Sequence, residues 1–342
     1  PRPTQQVSSA ASAVYKRQAV TDGMAEEAVR KLEQAGCEVV QGFIEHDVLA
    51  AGGLAEFDAI IVRSATKITE QMLMKSQPRL KVVARAGVGV DNIDIPAAST
   101  LGLPVVNAPR ASTQSVVELT IGHLLGSLRF IPRADRSLRL GKWAKKELKG
   151  TELFGKRLGL IGFGRIAQGV AKVAQAFGME VHSYDPYLPS SVARKANVTM
   201  HKNVDNLFKT CTHISIHCNL TDETHHLINT KRIDMMPGVD PFNLKCGNHI
   251  VNCARGGIVD EDAALSALES GQLASLALDV FEYEPVDAKS PLLQHHNFHG
   301  TPHIGAATIE AQRRVGLDIV DAVLTVLDGG VAETTVNRKD IS

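Results

Sequence analysis

The sequence predicts an α/β protein built from two doubly wound parallel sheets. Three observations carry that prediction. Short apolar runs of strand length alternate with helical stripes along most of the chain, and such alternation implies right-handed crossovers and parallel pairing. At 342 residues the chain has length for about two domains. The stretch from Arg157 to Pro186, RLGLIGFGRIAQGVAKVAQAFGMEVHSYDP, reads as strand, glycine turn, amphipathic helix, second strand and acid.

That stretch orders the rest. Leu158 to Ile161 is an apolar run that stops at Gly162-Phe163-Gly164, and a helix begins near Arg165. Val170, Val173, Ala174 and Phe177 recur at helical spacing, Gly178 ends the helix, and Glu180 to Tyr184 forms the next strand. This is the context a dinucleotide fingerprint requires. Gly162 permits the tight turn, Gly164 lets a pyrophosphate approach the backbone, and the third position, Ala167, is small where helix meets strand. The helix N-terminus offers N–H groups and the positive end of its dipole to the phosphates. Asp185 closes the second strand, where a carboxylate accepts both ribose hydroxyls.

The chain before it follows the same rhythm. Ala19 to Thr21 leads to Asp22-Gly23, Ala28, Val29, Leu32 and Ala35 form a helical stripe stopped by Gly36, and Cys37 to Val40 is extended again. Phe57 to Val62 is a strand ending at Arg63-Ser64-Ala65-Thr66, and Leu80 to Ala84 one ending at Arg85-Ala86-Gly87-Val88-Gly89. Leu103 to Asn107 is a further short strand. Ligands of open parallel sheets sit beyond the carboxyl ends of strands, so Arg63, Arg85 and Gly87 to Gly89 mark this first sheet as a binding partner. From Ser112 to Leu140 the apolar residues are too dense for a surface helix, and packing between domains or subunits is expected.

Beyond the fingerprint, His213 to Ile216, His249 to Asn252 and Leu276 to Asp279 are short strands ending in polar residues. A last helix carries Ala311, Val315, Ile319, Val323 and Val326 and ends near Gly329. No strand follows it, so it is expected to return to the first domain and leave that domain discontinuous. The expected division is 1–111 with 305–342, and 112–304.

Composition excludes several functions. Lys plus Arg and Asp plus Glu both number 37, so no net field draws the chain to nucleic acid or anionic membrane. Aromatics at 4% leave little for base stacking. No apolar run approaches the ~20 residues of a membrane span. The five cysteines (Cys37, Cys211, Cys218, Cys246, Cys253) contain no CxxC pair and read as free thiols of a reducing, cytoplasmic compartment. Residues 1–13 lack the apolar centre of a signal peptide. With Arg2, Lys16 and Arg17 ahead of the first acid, Asp22, a transit segment fits, but a disordered terminus is the expectation.

Three loops supply chemistry: Arg255 after one strand, Glu284 past the next and His303 after the last. Hydride transfer from a hydroxy acid needs a cation for the carboxylate and a group that trades a proton with the hydroxyl. Arg255 has the planar fork for the first task. An imidazole, His303, suits the second, and Glu284 beside it would favour imidazolium and fix the tautomer. Plainer readings stand beside these: Arg255 capping a surface loop, Glu284 solvated in Glu282-Tyr-Glu-Pro285, Cys253 as packing rather than nucleophile. His295, His296 and His299 near His303 raise a metal site, but no cysteine or carboxylate cluster shares their spacing, so no metal is expected.

At these residues the chain resembles the D-isomer-specific 2-hydroxyacid dehydrogenases. The matching segments are Arg63-Ser-Ala-Thr-Lys-Ile-Thr69, Arg85 to Asp94, Gly141-Lys-Trp143, the fingerprint, Val251 to Glu261, Ala277 to Phe281 and Pro302 to Ala306, in the family's order. The resemblance implies a Rossmann-type NAD domain inserted in a discontinuous substrate domain. It implies Arg255, Glu284 and His303 as the catalytic set. Around NAD it places Val88, Gly162, Gly164, Arg165, Ile166, Asp185, Cys218, Cys253, Asp279, His303 and Gly305. Arg63, Ser64, Gly87, Val88 and Arg255 would line the substrate cleft. Three departures stand out: Ala111-Ser112 for a usual Gly-Asn pair, His217-Cys218-Asn219 for a proline-bearing loop, and extra length from Met236 to Asn248. The chain ending at Ser342 is expected to leave out regulatory domains that some relatives append. The implied activity is NAD-dependent oxidation of D-3-phosphoglycerate to 3-phosphohydroxypyruvate on the route to serine, by a homodimer or higher homo-oligomer. The alternatives are a glyoxylate or hydroxypyruvate reductase and, in another class, a nucleotide-sensing corepressor-like binding protein.

Overall fold

The structure, a computed structural model, describes residues 16–341. The N-terminal segment read above as a disordered or transit stretch lies outside them, apart from Lys16 and Arg17. The chain divides into two compact units, one taking the chain through Ser112 and again from Ile309, the other running from Thr113 to Thr308.

In the first unit, strands β1 (Lys16–Val20), β2 (Cys37–Gln41), β3 (Ala59–Val62), β4 (Val82–Arg85) and β5 (Val105–Asn107) pair in the order β2-β1-β3-β4-β5, all parallel. Helices α1 (Glu26–Gln34), α2 (His46–Ala51), α3 (Glu70–Lys75) and α4 (Ile95–Thr100) are the crossovers. Period-two alternation divides each strand between two cores. Val20, Ala59, Ile61, Val82 and Ala84 face one side with Ala28 and Leu32 of α1. Ala19, Ile60, Val62, Val83 and Val105 face the other, under Leu49, Met72, Leu73 and Ala98 of α2 to α4. Both faces are covered, as parallel sheets demand.

The second unit opens with α5 (Thr113–Leu128) and α6 (Ile131–Arg139). The expected single helix is therefore two. Phe130 turns left-handed at φ 54° and Pro132 starts the new helix, so the ladder cannot run through. Ten residues of α5 are buried and none of α6, so only the first half of that stretch is a core helix. Seven parallel strands follow: β6 (Arg157–Ile161), β7 (Glu180–Tyr184), β8 (Thr199–His201), β9 (His213–Ile216), β10 (His249–Asn252), β11 (Ser275–Leu278) and β12 (Phe298–Gly300). Their order is β12-β11-β10-β9-β6-β7-β8. Helices α7 (Arg165–Ala176), α8 (Ser190–Lys195), α9 (Val204–Thr210), α10 (Thr230–Asp234), α11 (Glu261–Ser270) and α12 (Pro291–Gln294) connect them. The order reverses between β6 and β9, and crevices for ligands open at such switch points. The edge strands β8 and β12 had no apolar run to announce them.

Helix α13 (Ile309–Leu327) then returns to the first unit and packs Val315, Ile319, Val320 and Val323 into the core that holds α1. No helix among the described residues is long and apolar enough to cross a membrane.

Two features of the second unit depend on burial rather than pattern. His213 and His249, cross-strand partners on β9 and β10, stack with ring centroids 4.7 Å apart and are 0% and 5% exposed. The long segment before β10 is a turn built on Asp240. Its carboxylate accepts the Phe242 and Leu244 N–H groups at 2.9 Å each and pairs with buried Lys156 at 3.1 Å.

Candidate active site

The fingerprint stands at the switch point. Gly162 adopts φ 83°, and a Cβ there would lie 2.7 Å from the His217 carbonyl oxygen at the end of β9, so only glycine fits. Gly164 differs: a Cβ there meets nothing within 4 Å, which leaves its backbone open to a phosphate group. Ala167 is fully buried, and Gly169 brings α7 against Val117 of α5. The Asp185 Oδ2 accepts the Phe163 N–H at 2.8 Å, while Oδ1 takes the N–H groups of Tyr187 at 2.9 Å and Leu188 at 3.2 Å. These bonds leave the carboxylate beside the glycine turn, with Tyr187 carrying Glu223 on its hydroxyl at 3.1 Å. Arg165 is exposed and Ile166 half-buried at the start of α7. Cys218, half-buried past β9, has its thiol pushed up to about 11 by burial, with Asp185 adding to the shift. Burial likewise pushes Cys253 to about 12 despite a hydrogen bond to Thr120, and it packs in the core with Val251 and Ala277. A thiol so held is no nucleophile near neutral pH.

Arg255, Glu284 and His303, the expected catalytic set, come from three adjoining loops of the second unit. His303 Nδ1 meets Glu284 Oε2 at 2.7 Å, and the other carboxylate oxygen accepts the Phe281 N–H at 3.0 Å. Burial pushes the Glu284 carboxyl up. The His303 and Phe281 hydrogen bonds and the charges of His303 and Arg255 outweigh it, and the net shift is down. Arg255 follows β10, where the buried Asn252 side chain donates to the Arg255 carbonyl at 2.8 Å and accepts the Ala254 N–H at 2.9 Å. Gly256 then passes the next loop so closely that a Cβ would sit 1.7 Å from the Phe281 carbonyl oxygen. The loops bearing Arg255 and Glu284 are therefore in backbone contact.

The loop of His303 has its own support. His303 holds φ 53°, uncommon for a side chain of this kind. Asp279, expected beside the cofactor, directs its 1%-exposed carboxylate at this loop and accepts from Thr301 Oγ1 at 2.6 Å, Ile304 N at 2.8 Å and Gly305 N at 2.8 Å. Its carbonyl takes the His303 N–H at 2.8 Å.

In the first unit, Arg63 and Ser64 lie past β3. Asp22 accepts the N–H groups of Arg63 at 2.6 Å and Thr66 at 3.1 Å, and Asn92 donates to both of their carbonyls. Gly87 is buried, and a Cβ there would overlap the Arg85 guanidinium; the Val88 carbonyl accepts from Asn107 at 2.7 Å. Sequence reading missed the supporting residues Asp22, Asn92, Asn252 and Thr301. Their signal was position alone: each is polar and stands at or near the carboxyl end of a strand.

The model of the D-isomer specific 2-hydroxyacid dehydrogenase NAD binding domain matches residues 121–305. The chain belongs to the D-isomer-specific 2-hydroxyacid dehydrogenases. It is 45% identical over 323 residues to a D-3-phosphoglycerate dehydrogenase of Methanocaldococcus jannaschii, across 94% of this chain and 59% of that one. It is 44% identical to a hydroxypyruvate reductase of Thermotoga maritima, across 90% of this chain and 97% of that one. Among solved structures, the TT0316 protein from Thermus thermophilus superposes with a TM-score of 0.83 at 32% identity, across 94% of this chain and 99% of that one. The chain thus spans little more than half the length of the M. jannaschii relative. Its cofactor is NAD. The open backbone at Gly164 and the carboxylate of Asp185 fit the pyrophosphate and ribose of that group.

Proposed function

We propose that the chain oxidises D-3-phosphoglycerate to 3-phosphohydroxypyruvate with NAD, the first step of a phosphorylated route to serine. The observation that carries the chemistry is the 2.7 Å contact of His303 Nδ1 with Glu284. With Nδ1–H donated to the carboxylate, Nε2 keeps a lone pair for the substrate hydroxyl proton. Arg255 pairs with the substrate carboxylate through two parallel N–H bonds, which orients the carbon bearing that hydroxyl. NAD, held by the residues around Gly162 to Asp185, would supply the acceptor for the hydride released at this carbon as His303 takes the hydroxyl proton. In the reverse direction His303 returns the proton to the carbonyl oxygen.

The phosphorylated substrate is supported by 45% identity to the M. jannaschii enzyme, and reduction of hydroxypyruvate by nearly equal identity, 44%, to the T. maritima one. Arg63 separates the two readings. If its guanidinium binds phosphate, Arg63→Ala loses a charge-assisted contact worth about 1.5–3 kcal/mol, roughly ten- to hundredfold in affinity. The loss is expected with phosphoglycerate and not with a phosphate-free hydroxy acid. Equal weakening of both in steady-state assays would remove the phosphate role and leave the reductase reading in front.

The assembly we propose is a homodimer formed through the α5–α6 region. No residue of helix α6 is fully buried within its own chain, and Ile131, Leu138, Leu140 and Trp143 stand 56%, 57%, 72% and 82% exposed. Sedimentation is expected to give twice the chain mass; a monomer mass at every concentration sinks the proposal.

A further inference from the structure

We propose that His123, on α5, is a positioning residue for His303 and acts through Thr301 and Asp279. The proposal rests on the acid–base role of His303 given above and adds the groups that fix where that imidazole stands. Hydrogen directions decide the arrangement. A buried carboxylate only accepts, so the single Thr301 hydroxyl proton points at Asp279 Oδ1, 2.6 Å away. The Thr301 oxygen is then the acceptor toward His123 Nε2 at 3.0 Å, and His123 carries its proton on Nε2.

From there the chain of contacts runs to the site. The same Asp279 carboxylate holds the N–H groups of Ile304 and Gly305, and its carbonyl holds that of His303. Three successive backbone N–H groups therefore close on one residue, whose side chain is fixed by Thr301 and His123. The left-handed φ of His303 makes such a grip necessary, because that backbone shape persists only where surrounding bonds over-determine it. His123 is 4% exposed, and burial lowers its pKa more than the Asp279 charge raises it, so the neutral donor form persists. The neighbouring His299 ring, 5.2 Å away, is itself pushed down to about 4, chiefly by burial, and adds no positive charge near neutrality. A side chain that looks like core filling is thus the far end of a brace reaching the catalytic loop.

The test compares His123→Leu, which removes the donor, Thr301→Val, which removes the hydroxyl at nearly constant shape, and His123→Gln, which restores an N–H. The assay is reduction of 3-phosphohydroxypyruvate with NADH, or of hydroxypyruvate if that is the better substrate. For the first two variants kcat is expected to fall about ten- to hundredfold, the scale of a roughly 1 Å misplacement at the reacting groups. NADH affinity, read by fluorescence, should hold within about twofold. The isotope effect with NADH deuterated at the transferred position should rise as chemistry becomes limiting. The glutamine variant should recover most of kcat.

Wild-type kcat in soluble Thr301→Val, a loss that merely follows NADH affinity, or a glutamine variant no better than leucine would each overturn the brace. Should His123→Leu fail to fold, Thr301→Val carries the test alone. His303→Asn is assayed alongside. If it too keeps wild-type kcat, the acid–base reading has failed. If it alone collapses, only the brace has failed.

Discussion

His303→Asn is expected to lower kcat by about 10²- to 10⁴-fold in both directions, the range supplied by a positioned proton-transfer group. Asparagine keeps a polar side chain of similar reach but cannot take up or release a proton. The 2.7 Å contact with Glu284 also means that the native ring is aimed, not merely present. Binding of NADH should fall far less than kcat, because the groups expected at the pyrophosphate and ribose sit around Gly162 to Asp185 on other loops and His303 is only one of the residues expected around the cofactor. The result to look for is therefore a fall in kcat without a matching fall in NADH affinity, measured by steady-state kinetics and fluorescence titration. A kcat within tenfold of wild type would falsify the assignment.

The second large effect concerns acid. Burial pushes His249 down to about 4, and His213 well below its ordinary range, with the facing His249 ring and Lys156 acting in the same sense. Both are neutral in the folded protein and take up protons once unfolded, at the ordinary value of about 6.5. The unfolded state thus binds more protons below that pH, and stability falls as pH drops from about 6.5 toward 4. Each ring contributes a slope of about 1.4 kcal/mol per pH unit in that window, so the pair removes on the order of 4 kcal/mol between pH 7 and pH 5. His217, at about 3, and His299, at about 4, act in the same direction. Urea midpoints at pH 7 and pH 5 measure the loss, and His213→Leu with His249→Leu should flatten it. An unchanged midpoint across that interval would show that these rings charge without unfolding the sheet.

What the sequence disclosed follows from where the free energy lies. Strands buried on two faces announce themselves as apolar runs, so β6, β7, β9 and β10 were legible almost to the residue. The edge strands β8, Thr199–His201, and β12, Phe298–Gly300, bury too little to leave a run. The break before Pro132 was written in the chain, but the apolar density on its N-terminal side outweighed it. Arg255, Glu284 and His303 stood out as polar residues after strands, and the structure puts His303 on Glu284. Their supports did not stand out. His123 lies in an apolar stripe, and its partner Thr301 is 178 positions away, a separation no local pattern encodes.

One hydrogen bond bears on the order in which the chain can fold. The first unit is incomplete without α13, whose Asp321 and Arg313 pair with Lys31 and Glu27 of α1. Joining these pieces across an unstructured loop of about 200 residues would cost on the order of 5 kcal/mol in chain entropy. The intervening unit is contiguous, and Ser115 Oγ lies 2.8 Å from Thr308 Oγ1, so its two ends emerge side by side. Once that unit has folded, the long loop is already closed, and the last helix reaches α1 as a short-range event. The middle unit is therefore expected to be complete before the last helix closes the first. Lesions that unfold the nucleotide unit should leave the first sheet without its closing helix, even where they touch none of its residues.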